Sequence, residues 1–226
     1  MNGIFLVDKE QDWTSQDVVA KLRGVLHERK VGHAGTLDPM ATGLLIVMVG
    51  RATKLSDRLM HQEKEYVATM HLGTITDTQD IWGNVLETRE VSTSSDDVEK
   101  VLKSFSGELM QIPPMYSAIK IKGRKLYDIA RKGGVVEREP RSIRVDSITI
   151  LAVDGDDYTL DIHCSSGTYV RTLCHDIGER LGCGACMSAL RRVGIGEYRI
   201  EDAHLISEIT GDRYLIPMEP TIEDYQ

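Results

Sequence analysis

"SIRVDSITILAV" (Ser142–Val153) and "YTLDIHCS" (Tyr158–Ser165) are strand-like runs that lie close in sequence with no helix between them. In the second, Tyr158, Leu160, Ile162 and Cys164 alternate with Thr159, Asp161 and His163, the period-two pattern of a strand with one buried face. Directly downstream, "GTYVRTLCHDIGERLG" (Gly167–Gly182) changes to helical spacing, with Val170, Leu173, Cys174, Ile177 and Leu181 on one stripe and Gly182 as the stop. Upstream, "GIFLVDK" (Gly3–Lys9), "LLIVMVG" (Leu44–Gly50) and "KEYVATMHLG" (Lys64–Gly73) read as strands, the middle one fully buried. "TSQDVVAKLRGVLHE" (Thr14–Glu28) reads as a helix opened by a capping box of Thr14 and Asp17. "ATKLSDRLMHQ" (Ala52–Gln62), "SDDVEKVLKSF" (Ser95–Phe105) and "GRKLYDIARKGG" (Gly123–Gly134) read as further helices, the last stopped by two glycines. Several strands in succession with helices inserted irregularly predict an α+β fold, its central sheet mixed and largely antiparallel, flanked by helices.

The chain has 226 residues, enough to bury a sizeable core. Its longest apolar run, Leu44 to Val49, is far too short for a membrane span, and the N-terminal stretch lacks the pattern of a signal peptide, so a cytoplasmic location is expected. Four cysteines do not suggest a disulfide scaffold. The net charge of −8 argues against a polyanionic partner at first sight, but the charges are segregated. Tyr116 to Arg144 holds nine basic and three acidic residues, whereas Thr76 to Glu99 and Glu201 to Gln226 each hold one basic and seven acidic. The basic stretch is either a solvated face or a surface that meets phosphates.

"GHAGTLDPMATG" (Gly32–Gly43) sets a solitary carboxylate in a glycine-rich turn. It is no phosphate loop, because Leu44 and Leu45 stand where lysine and a hydroxyl residue are required. Taken alone, Asp38 before Pro39 also suits a simple turn opener. Arg171 falls in the first turn of its predicted helix, where the dipole disfavours a cation by about 0.3–1 kcal/mol, so an acidic neighbour is expected. "CGAC" (Cys183–Cys186) has the spacing of a zinc or dithiol pair, but Cys164 and Cys174 are too far apart in sequence to form a second close pair.

"GHAGTLDPMATGLL" (Gly32–Leu45), "KEYVATMHLGTITDTQDIWG" (Lys64–Gly83), "IPPMYSAIKIKGRKLYDIARKG" (Ile112–Gly133) and "SSGTYVRTLCHDIGERLGCGACMSALRR" (Ser165–Arg192) occur in an order that closely resembles the TruB-type tRNA pseudouridine synthases, from the first strand to "YLIPME" (Tyr214–Glu219). The resemblance implies the pseudouridine synthase fold and isomerisation of the T-loop uridine at tRNA position 55. Asp38 matches the catalytic nucleophile, Arg171 the arginine that pairs with it, and Tyr66 the tyrosine that stacks on the target base. Leu190 matches an apolar residue of the base pocket, His33 a histidine that packs among the displaced bases, and Asp80 a position that holds flipped nucleotides. Lys120, Lys122, Arg124 and Lys125 fall in an RNA-facing insertion around residues 111–144. The resemblance further implies one catalytic domain over 1–226, no metal or organic cofactor, tRNA as partner through its T-arm, no guide RNA, no membrane, and a monomer. The competing reading is a tRNA-binding or folding chaperone that uses the same cleft without chemistry. Two features depart from the family. The first motif commonly carries proline and glycine where "DKEQDWTS" (Asp8–Ser15) has Glu10 and Asp12, and most members continue into a C-terminal RNA-binding module of the PUA type that this sequence does not show.

Overall fold

The computed structural model describes residues 1–226 apart from 118, 122, 123, 131–133, 135, 222, 223, 225 and 226. In chain order its elements begin with β1 (Gly3–Lys9), α1 (Ser15–Leu26), β2 (Val31–Ala34), β3 (Thr42–Val49), a 3-10 turn (Gly50–Leu55) leading into α2 (Ser56–Met60), and β4 (Lys64–Leu72). There follow β5 (Thr74–Thr76), β6 (Val85–Thr88), α3 (Ser95–Ser104), β7 (Gly107–Gln111), β8 (Lys120–Ile121), β9 (Arg124–Lys125) and α4 (Leu126–Ala130). The long strands β10 (Arg141–Asp154) and β11 (Asp157–Cys164), then α5 (Val170–Leu181) and β12 (Ala185–Ile195), complete the main elements. The fold is α+β with mostly antiparallel pairing, as the sequence predicts. The chain packs as two compact units, residues 1–67 with 189–226, and residues 68–188.

In the first unit β3 pairs antiparallel with both β1 and β2. Its register sets Phe5 opposite Val47 and Leu6 opposite Ile46, so successive residues of β1 and β3 enter different layers. Phe5, Val7, Leu45 and Val47 pack with Val18, Val19 and Leu22 of α1, while Ile4, Leu6, Leu44, Ile46 and Met48 pack with Leu55 and Leu59 on the opposite face. A strand covered on both faces has no polar side to show, which is why "LLIVMV" is an unbroken apolar run. The capping box of α1 is in place: Thr14 Oγ1 accepts from the Asp17 amide at 3.0 Å, and the Asp17 carboxylate accepts from the Thr14 amide at 2.9 Å. Trp13, just before the cap, packs its ring against the α1-side layer.

In the second unit β10 pairs antiparallel with β11 and with β7. On β11, Tyr158, Leu160, Ile162 and Cys164 are buried and the residues between them are not, so the alternation read from the sequence marks the core face. β5 and β6 form a separate hairpin whose outer residues Trp82, Val85 and Leu86 are exposed.

Two expectations are revised. β2 occupies Val31–Ala34, so part of the glycine-rich segment is a paired strand, and the turn proper is confined to the residues between Ala34 and Thr42. The helix expected over 123–134 begins only at Leu126, because Arg124 and Lys125 pair with β8 and the Leu126 amide donates to the Ile119 carbonyl. Gly133, one of the two predicted stops, lies outside the described residues.

Candidate active site

Asp38 lies in the turn between β2 and β3 and is half-buried, with its backbone carbonyl accepting from the Ala41 amide at 3.1 Å. Side chains from three other elements of the first unit fix this turn. Ser15, at the start of α1, grips Leu37 twice: its Oγ accepts from the Leu37 amide at 2.9 Å and donates to the Leu37 carbonyl at 3.2 Å. Lys9, at the end of β1 and only 1% exposed, donates to the carbonyls of Glu10 (3.0 Å), Trp13 (2.7 Å) and Pro39 (3.1 Å). The Pro39 carbonyl also accepts from the Asp12 amide at 2.9 Å. Arg192, on β12 and 1% exposed, donates from Nε to the Leu44 carbonyl at 2.7 Å and from Nη2 to the Gly35 carbonyl at 3.1 Å.

The electrostatics follow from these burials. Desolvation pushes the Lys9 ammonium down to about 8, against the opposing pull of Asp38 and Asp12, with the Arg192 charge pushing further down. His33, on β2, is lowered first by burial and then by the Arg192 charge, which favours neutral imidazole near pH 7. Its Nδ1 is buried with no hydrogen-bond partner among the described residues. Tyr66 is buried on β4, on the same face as Lys64, and Leu190 is partly exposed on β12. Beside Arg192, Arg191 forms a bidentate pair with Asp8 at 2.8 and 3.0 Å.

The second unit holds Arg171 and Asp80. Arg171 is the second residue of α5 and is buried, and its Nη1 lies 3.3 Å from Asp80 Oδ2, which supplies the acidic neighbour that its place in the first helical turn calls for. Nη1 also reaches the Thr78 carbonyl at 3.3 Å, and Nη2 the Tyr116 carbonyl at 2.9 Å. The other oxygen of Asp80 accepts from Thr78 Oγ1 at 2.7 Å and from the Trp82 amide at 3.2 Å. Asp80 thus orders the turn that precedes β6 as well as holding Arg171. Gln111 of β7 holds the residue that precedes α5, donating to the Tyr169 carbonyl at 3.1 Å and accepting from the Tyr169 amide at 2.9 Å. Thr172 donates to Gln79 at 2.7 Å, a second tie between α5 and the Asp80 turn.

The N-terminal domain profile of the TruB family of pseudouridylate synthases matches residues 23–170, and the C-terminal domain profile of tRNA pseudouridylate synthase B matches residues 171–220. The chain belongs to the TruB family. A tRNA pseudouridine synthase B of Opitutus terrae is 48% identical over 92% of this chain and 87% of its own length. That of Pseudomonas fluorescens is 44% identical over 100% of this chain and 77% of its own. Among solved structures, a chain of a Cbf5–Nop10–Gar1 complex superposes with a TM-score of 0.74 at 33% identity, covering 92% of this chain and 53% of that one. A chain of an H/ACA ribonucleoprotein bound to a substrate RNA containing 2'-deoxyuridine gives 0.70 at 31% over 92% of this chain and 52% of that one. This chain spans about half the length of those two solved chains.

Within this TruB-family isomerase, Asp38, His33, Tyr66 and Leu190 fall in the first unit, and Arg171 and Asp80 in the second. Lys120, Arg124 and Lys125 have their backbones in β8 and β9, while their side chains, and Lys122 altogether, lie outside the described residues. Sequence reasoning missed Lys9, Ser15 and Arg192 as supports of the Asp38 turn, and Gln111 as support of α5. "DKEQDWTS" and "SALRR" contain three of them, but nothing in their spacing says what they hold. Asp12, which replaces the family's glycine, has φ of +67°, so the backbone there needs the left-handed conformation that glycine adopts without penalty. Both thiols of "CGAC" are buried; burial pushes Cys186 up to about 11, and burial together with the neighbouring Cys186 pushes Cys174 of α5, outside the motif, up to about 12. Cys186 and Cys174, held protonated at neutral pH, are poor nucleophiles and poor metal ligands.

Proposed function

We propose that this synthase converts the T-loop uridine of tRNA, at position 55, to pseudouridine, with Asp38 as the nucleophile. The carboxylate bonds the ribose C1′ as the C1′–N1 bond breaks, and uracil leaves with the bonding pair. The base turns in its pocket, C5 attacks C1′ and displaces the carboxylate, and the proton lost from C5 is balanced by one gained at N1. The base is recaptured rather than hydrolysed, so one carboxylate suffices and no second one is needed to activate water. Tyr66 supplies an aromatic face for the flipped base, Leu190 lines its pocket, and His33 packs among the displaced bases in its neutral form. Extracting the base costs a few kcal/mol, which this stacking offsets. Arg171 is the cation that the family resemblance sets against the aspartate, and Asp80 keeps it in place. The basic residues of 116–144, Lys120, Lys122, Arg124 and Lys125 among them, take the phosphates of the T-arm, so affinity falls as salt rises.

The observation that carries this reading is the construction of the Asp38 turn. A half-buried carboxylate is held at Leu37, Pro39 and the turn's two ends by Ser15, Lys9, Asp12 and Arg192, which is more anchoring than a simple connector requires. The test is to incubate the purified chain alone with an unmodified tRNA transcript and with an isolated T-arm stem-loop, and to map pseudouridine by carbodiimide-block primer extension. A single T-loop uridine should convert in both, without a guide RNA, and Asp38→Asn should abolish conversion while leaving binding intact. Binding without conversion by the unaltered chain would point instead to a tRNA-folding chaperone, and conversion only when a second RNA is added would point to a guide-dependent enzyme.

A further inference from the structure

Arg192 is a large, fully buried cation with no carboxylate in ion-pair range among the described residues. Methionine would fill a similar volume without desolvating a charge. What methionine cannot do is donate from one rigid plane to two carbonyls at once, and the two that Arg192 reaches, Gly35 and Leu44, lie on either side of Asp38. The backbone reinforces this placement. β12 pairs parallel with β3 so that Arg191 faces Thr42 and Arg192 faces Gly43. Gly43 has φ of +101°, and a Cβ there would lie 2.8 Å from the Arg192 nitrogen and closer still to its carbonyl oxygen. Gly35 has φ of +84°, and a Cβ there would lie 3.4 Å from Arg192 Nη1. Gly35, which opens the turn, and Gly43, in β3 just beyond it, are therefore the places where Arg192 fits against this segment, the first through its guanidinium and the second through its backbone.

We propose that Arg192 is a positioning residue for the isomerisation: its guanidinium ties Gly35 to Leu44 and so fixes the span and shape of the turn that presents Asp38. Ser15 and Lys9 hold the middle of the turn through Leu37 and Pro39, the β2–β3 pairing closes its base at Ala34 and Ile46, and among the described residues Arg192 is the side chain that bonds both Gly35 and Leu44. The inference rests on Asp38 being the nucleophile. It assigns to Arg192 no contact with RNA, since the side chain is buried, and it separates geometry from affinity: loosening the turn lowers turnover while substrate binding persists.

The test uses the full chain with Arg192→Lys, which keeps the charge but lacks the planar fork that reaches both carbonyls. kcat and KM are measured on the T-arm stem-loop, alongside urea unfolding and amide hydrogen exchange at Leu37 and Ala41. The expected result is a kcat lower by about 100-fold, the loss that follows from a misplacement of order 1 Å at a reacting group, with KM within about threefold of the parent. Exchange at Leu37 and Ala41 should quicken while the amides of β1 and β3 keep their protection. A kcat within threefold of the parent overturns the proposal. So does an Arg192→Lys chain that does not fold, or one whose kcat and KM deteriorate together with its urea midpoint, because each assigns the residue to stability alone. Asp38→Asn runs in parallel: if that variant still converts uridine, the nucleophile assignment has failed, whereas an inactive Asp38→Asn beside a fully active Arg192→Lys defeats only the present inference.

Discussion

Replacing Lys9 by methionine should change how the stability of this protein responds to pH, and the size of the change follows from its surroundings. Lys9 is buried, and desolvation brings its pKa from 10.5 to about 8. Near pH 7 both folded and unfolded chains carry the ammonium, and the folded chain bears the cost of burying it. Between about pH 8 and the unfolded value of 10.5 the folded chain has released the proton and the unfolded chain still holds it, so stability rises with pH across that window. The gap between the two values corresponds to about 3 kcal/mol. Lys9→Met has no such proton, while every other group titrates in both proteins and cancels in the comparison. Urea unfolding of parent and variant, extrapolated linearly to water at several pH values from about 7 to about 11, should show the difference growing in the parent's favour by about 3 kcal/mol. At neutral pH the variant is destabilised as well, because the carbonyls of Glu10, Trp13 and Pro39 lose their donor, each at about 1–3 kcal/mol where water cannot replace it, partly offset by the charge no longer being buried. Parallel pH profiles for the two proteins would refute the assignment of a depressed, buried ammonium at this position.

Three further outcomes are expected. Asp12→Gly should leave the urea midpoint unchanged or slightly higher, because a left-handed backbone costs a non-glycine residue about 1 kcal/mol, whereas Asp12→Val, β-branched at φ of +67°, should lower it clearly; equal midpoints for the two would contradict the backbone assignment. Gly43→Ala should destabilise by about 3 kcal/mol or more, since its Cβ collides with the Arg192 backbone and the β3–β12 pairing must part; a chemical denaturation curve within about 1 kcal/mol of the parent would disprove the close approach. The lowered pKa of His33 means that below about pH 6.5 the unfolded chain takes up a proton that the folded chain resists, so stability falls as the pH drops; His33→Leu should flatten that part of the profile, and an unchanged acid limb would show that His33 is not the group responsible.

Elements whose causes are local were legible in the sequence. The box of Thr14 and Asp17 starts α1 because its donors and acceptors lie three residues apart, and β11 reveals its core face by strict alternation. β12 was not legible. Its middle carries Arg191 and Arg192, which resemble solvated charges until Asp8 and the carbonyls of Gly35 and Leu44 are found to receive them, all about 150 or more residues away in the chain. β2 was obscured by Gly32 and His33, residues of weak strand preference that are held in place by pairing with β3. Asp38, Arg171 and Tyr66 could be named as candidates by resemblance, and the unfavourable dipole position of Arg171 called for an acid. That the acid within its reach is Asp80, 91 residues earlier, is a tertiary fact, as is the grip of Gln111 on Tyr169.

The sequence has two tryptophans, and the fold gives one to each unit. Trp13 packs against the α1-side core, and its carbonyl receives Lys9 close to the turn that bears Asp38; Trp82 stands 46% exposed in the turn that Asp80 organises. Their emission should therefore separate without any added label. A bluer, less readily quenched component should follow unfolding around the Asp38 turn, and a redder, acrylamide-sensitive one should follow loosening of the hairpin that Asp80 organises. With Trp82→Phe silencing the second, intrinsic fluorescence gives each half of this synthase its own optical signal for loosening of the structure.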